Sequence, residues 1–61
     1  MTKTNWQPVR LAIEACAEKG GTRAEQRAAG AAELTAQWGE PVTIVDRGGY
    51  WQVVRHAKSP R

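Results

Sequence analysis

The sequence predicts a small α+β domain, ααββ: an antiparallel helix pair packed on one face of a C-terminal two-stranded β-hairpin. Three observations carry that prediction. Small and apolar residues recur at helical spacing in two segments that end near residues 19 and 38. "T-R-A-E" at 22–25 is a helix-start signal lying between them. Beyond Pro41 the chain turns β-branched and aromatic, in two runs that flank Gly48-Gly49.

The first helix reads from Gln7 to Lys19. Asn5 or Gln7 can cap it, and Pro8 fits a first turn, where its missing N–H costs nothing. Val9, Ala12, Ile13 and Cys16 fall on one helical face, which Leu11 and Ala15 would widen. Gly20 supplies a left-handed stop. The second helix is expected from the Thr22/Glu25 capping box to Trp38, with Gly39 ending it and Pro41 barring its continuation. Its expected inner stripe is Ala24, Ala28, Ala31, Leu34 or Thr35, and Trp38. Gly30 in mid-helix costs about 1 kcal/mol relative to Ala, so a close approach is expected there.

A two-residue Gly48-Gly49 loop makes a primed turn and sets Asp46 against Trp51, Ile44 against Val53, and Val42 against Arg55. Val42, Ile44, Trp51 and Val53 then face the helices. Thr43, Val45, Arg47, Tyr50, Gln52, Val54 and His56 face away. A three-residue loop would exchange the two faces.

Sixty-one residues allow one domain near the lower limit for folding without staples. Residues 1–5 are expected to fray, and 57–61 to form a basic flexible tail. The apolar inventory is thin: nine Val, Leu or Ile, three Trp, one Tyr and no Phe. Self-association, as a homodimer, or a bound partner is therefore expected to add stability. One cysteine excludes an internal disulfide and fits a cytoplasmic setting. No apolar run is long enough to span a membrane, and no membrane partner is expected.

Charge is uneven. Residues 1–46 carry five Lys or Arg against six Asp or Glu, whereas 47–61 carry four basic residues and no acid.

Catalytic readings find little to use. The chain has one His and one Ser; Cys16 falls on an expected inner face, and His56 and Ser59 lie in the closing stretch. Nucleophilic catalysis needs a nucleophile, a base and an orienting group together. No ligand set of metal-site spacing occurs, and the glycine pairs lack the spacing of a phosphate loop. The expectation is a non-enzymatic protein with no cofactor, metal or small-molecule substrate.

Two binding readings remain. Antiparallel helices put Trp6 beside Trp38, and the returning strand brings Arg55, His56, Lys58 and Arg61 to that same end. With Tyr50 on the open hairpin face, these residues form a candidate protein-binding surface, since Trp, Tyr and Arg dominate interface energetics. The alternative is a winged-helix-like DNA-binding protein, with Arg23, Gln26 and Arg27 aimed at base edges and Arg47 on the wing. In size, and in its lack of catalytic groups, the chain is similar in character to small phage or plasmid proteins that inhibit a host system. No residue motif carries that analogy. The leading expectation is a stoichiometric inhibitor or adaptor from such a mobile element.

Overall fold

A computed structural model describes residues 3–56. Helix α1 spans Trp6–Glu18, one residue earlier than expected at each end, and the Asn5 side chain caps it by accepting the Gln7 N–H at 3.2 Å. It ends in a full Schellman motif. Gly20 takes φ +83°, its N–H reaches the Ala17 carbonyl at 3.0 Å, and the Gly21 N–H reaches the Cys16 carbonyl at 2.9 Å. A Cβ at Gly21 would collide with the Cys16 side chain and lie 2.8 Å from its carbonyl oxygen. Only glycine fits that turn.

Helix α2 spans Arg23–Trp38. The capping box is complete: Glu25 N–H donates to Thr22 Oγ1 at 3.2 Å, and Thr22 N–H donates to Glu25 Oε1 at 2.8 Å. Gly39 closes the helix at φ +70°. Strands β1 (Val42–Asp46) and β2 (Trp51–Arg55) form an antiparallel pair in the anticipated register, Val42 with Arg55, Ile44 with Val53 and Asp46 with Trp51. The loop has two central residues, closed by Arg47 N–H on the Tyr50 carbonyl at 2.9 Å. Of these two, only Gly48 has positive φ, +99°, the pattern of a turn that needs glycine at its first central position.

Helix α2 is the central element, packed against α1 on one side and against β1 on the other. The core is Val9, Ala31, Leu34, Val42 and Ile44, with Ile13, Trp38, Trp51 and Val53 packed against it. Among the described residues Leu34 alone is a large side chain removed completely from solvent. Fully burying one such residue contributes about 1.5–3 kcal/mol, so five buried residues make a thin core. Gly30 is where the layers meet: a Cβ there would stand 3.0 Å from Ile13 Cδ1 and 3.1 Å from Ile44 Cδ1. The glycine lets side chains from α1 and β1 converge over α2.

The inner stripe of α2 keeps Ala31, Leu34, Thr35 and Trp38 as expected but departs in its first half, where Ala24 and Ala28 are exposed and Arg27 and Gly30 are covered instead. Arginine's aliphatic stem covers apolar surface as an alanine cannot, while its head stays polar. Leu11 and Ala15 are likewise exposed, so they do not widen the buried face of α1. That face is narrow because α1 packs chiefly against one neighbour, α2.

Candidate functional site

The end of the molecule at the hairpin base is assembled from four segments. Asn5 N–H donates to Gln37 Oε1 at 2.9 Å, and Gln37 Nε2 donates to the Asn5 carbonyl at 2.7 Å. This reciprocal pair ties the start of α1 to the end of α2. Trp38 Nε1 donates to Thr4 Oγ1 at 3.0 Å. Thr4 and Asn5, expected to fray, are thus held by α2. On the strand side, the Arg55 guanidinium lies 5.1 Å from the centre of the Trp38 ring, and its Nε donates to Glu40 Oε1 at 2.8 Å. The hydrogen bond from Arg55 to Glu40, and then the carboxylate's charge, raise the Arg55 pKa above its ordinary value. The cation is permanent at any physiological pH.

Sequence reasoning placed Trp6, Trp38, Arg55 and His56 at one end. Trp38 and Arg55 are in contact, and Trp6 opens the helix whose start is clamped there; its side chain is 48% exposed. His56 N–H donates to the Pro41 carbonyl at 2.8 Å, and its ring Nε2 lies 3.0 Å from Thr43 Oγ1. Tyr50 is 66% exposed but sits at the hairpin tip, about 17 Å of strand away from this end. Lys58 and Arg61 lie outside the described residues. Sequence reasoning missed Thr4, Asn5, Gln37 and Glu40. The register could have found Glu40: Pro41 opposes His56, so position 40 comes beside the returning Arg55.

The residues of the DNA-reading alternative are disposed differently. Arg23 is exposed. Gln26 Nε2 donates back to the Gly21 carbonyl at 3.1 Å. Arg27 lies 5.6 Å from the centre of the Trp51 ring and 3.5 Å from Asp46 Oδ2. Arg47 Nε donates to Gln52 Oε1 at 2.7 Å on the outer face. Gln26 and Arg27 therefore face the body of the protein, and neither is aimed outward from the helix start.

Two shallow hollows flank α2. One, of about 580 Å³, is floored by Ala24, Ala28, Ala31 and Ala32 and walled by Val42 and Ile44 of β1. The other lies at the α1–α2 turn, beside Cys16, Lys19 and Gly21. Cys16 and His56 belong to opposite ends of the helix pair, since α1 starts at the hairpin base and Cys16 lies in its last turn. Among the described residues no group of three or more His, Cys, Asp and Glu is placed to hold a metal ion, and no helix is long and apolar enough to cross a membrane. The chain matches no protein-family model, no curated protein and no solved structure.

Proposed function

We propose that this chain is a non-enzymatic, cytoplasmic protein-binding module that acts stoichiometrically, as an inhibitor or adaptor of the kind mobile elements encode. One observation carries the reading: at the hairpin base Arg55 lies over Trp38, at the end where Asn5 and Gln37 tie down the start of the helix that half-exposed Trp6 opens. Arg55 is 62% exposed there while already aligned by Glu40. A guanidinium held over an indole by a carboxylate has lost much of its rotamer freedom before any partner arrives, which lowers the entropic cost of binding. Exposed Trp and oriented Arg are the side chains that anchor protein interfaces.

The DNA-reading alternative has weaker support. Gln26 and Arg27 are engaged by Gly21, Trp51 and Asp46, so reading bases with them would require those contacts to break.

Affinity capture from a bacterial lysate tests the reading, with Trp6→Ala and Arg55→Ala chains beside the native one. The native chain should retain a partner in equimolar amount, and both variants should retain less of it. A partner profile unchanged by both substitutions would contradict the surface. A DNA mobility shift at low salt that weakens with Arg23→Ala would favour the alternative.

A further inference from the structure

We propose that the outer edge of β1 docks a second copy of this chain, strand against antiparallel strand, around a two-fold axis at Ile44. The ladder itself shows which groups are on offer. Arg47 N–H bonds the Tyr50 carbonyl and His56 N–H bonds the Pro41 carbonyl, so Pro41, Thr43, Val45 and Arg47 are the β1-side residues whose backbone groups turn toward β2. Those of Val42, Ile44 and Asp46 point to the opposite edge. Val42 N–H confirms the direction, donating to Thr35 Oγ1 on α2 at 3.1 Å. The remaining outward set is Ile44 N–H and C=O, Asp46 N–H and C=O, and the Val42 carbonyl.

Edge strands are normally blunted by charged side chains, proline, a bulge or a covering helix. Val42–Asp46 reads V-T-I-V-D, with no lysine or proline. Its one charge, Asp46, is paired with Arg27, and α2 takes the Val42 N–H but leaves the Ile44 and Asp46 groups.

The pattern is self-complementary. With Ile44 opposite Ile44 of the second copy, the two isoleucines exchange both backbone bonds, and each Asp46 N–H reaches the other copy's Val42 carbonyl. This register also keeps like charges apart: the two Asp46 carboxylates lie at opposite ends of the paired strands, each beside its own Arg27 at 3.5 Å. Moving the axis to Val45 would bring the two carboxylates closer together.

The alanine-floored hollow runs beside this edge. Because α2 packs against β1, a strand-to-strand dimer brings the two α2 helices together through Ala24, Ala28 and Ala32. Side chains that small let helices approach closely. An extended peptide from another protein would satisfy the strand edge and leave the alanine face uncovered, which is why a second copy fits better. It would also add burial to a core of only five residues.

The edge is about 17 Å long, and the helical face beside it is similar in length. A patch of that size is at or below the ~800 Å² per partner of a standard interface. The dimer therefore forms and dissociates with concentration. In it, each Tyr50 lies at the end of the four-stranded sheet that carries the other copy's Arg55–Trp38 stack.

Sedimentation equilibrium on the native chain, up to about 1 mM, tests this beside two altered chains. Ala28→Arg places like charges across the axis on an exposed helical position. A synthetic chain N-methylated at Ile44 removes the central donor without touching the β1–β2 ladder. The native chain should show a monomer–dimer equilibrium. Both altered chains should dimerise at least about tenfold more weakly with unchanged circular dichroism. Should Ala28→Arg fail to fold, the N-methylated chain decides. A native chain still monomeric at about 1 mM overturns the proposal, as does a dimer that survives both alterations. A monomer that instead takes up an extended peptide at this edge overturns the second copy as its occupant.

Discussion

An arginine, a tryptophan and a carboxylate meet at each end of the hairpin, and the two ends use them differently. At the tip, Arg27 lies over Trp51 and beside Asp46; at the base, Arg55 lies over Trp38 and beside Glu40. The Arg27 side chain is 21% exposed and comes from α2, so it clamps the helix to a strand at the far end of the sheet. Asp46 is itself fixed there, because its other carboxylate oxygen accepts the Gly48 N–H at 2.8 Å. Arg55 comes from the strand and stays three times as exposed, held by a carboxylate rather than by burial. On the proposed reading this difference has a cause: Arg27 is covered because the fold uses it, and Arg55 is aligned but open for a partner.

The largest effects should fall on what both clusters share. Leu34→Ala removes the fully buried side chain of α2 and should cost about 3 kcal/mol, comparable with the whole stability of so small a domain. Urea unfolding followed by circular dichroism should show the chain largely unfolded without denaturant. Gly30→Val forces a branched side chain between Ile13 and Ile44 and should cost about 2 kcal/mol, seen as a lower midpoint with an unchanged slope.

Much of this arrangement was legible in the sequence, and the exceptions have a common cause. The capping box, the glycine stops and the two-residue loop are local rules, so the boundaries and the hairpin register followed from a few residues each. The covered face of the first half of α2 did not. Ala24, Ala28 and Ala32 line a side that looks apolar but is exposed, and the residue that marks the covered side is a charged one, Arg27. Its partners Trp51 and Asp46 are about twenty or more positions away, and nothing in their spacing points back to it. The clamp of Asn5 on Gln37 was hidden similarly, since neither residue type signals a tertiary contact. The base of the hairpin was anticipated through topology alone, which brought Trp38 and Arg55 together; Tyr50, grouped with them as one binding surface, lies at the opposite end.

The smaller effects separate the two arginines. Arg27→Ala should lower stability by about 1 kcal/mol, from a partly covered cation–π contact and ion pair that are lost together. Thermal unfolding at low and high salt should show most of that loss at both, because a covered contact is poorly screened. Arg55→Ala should leave the unfolding midpoint nearly where it was, since an exposed ion pair contributes little.

The account's central claim, that the base arginine serves a partner and the tip arginine serves the fold, is tested most directly by measuring capture and thermal midpoint on the same two variants. Arg55→Ala should keep the native midpoint and lose most of the captured partner, while Arg27→Ala should unfold at lower temperature yet capture normally when kept below its transition. The reverse assignment, with Arg27→Ala abolishing capture in the folded state and Arg55→Ala leaving it intact, would contradict the account.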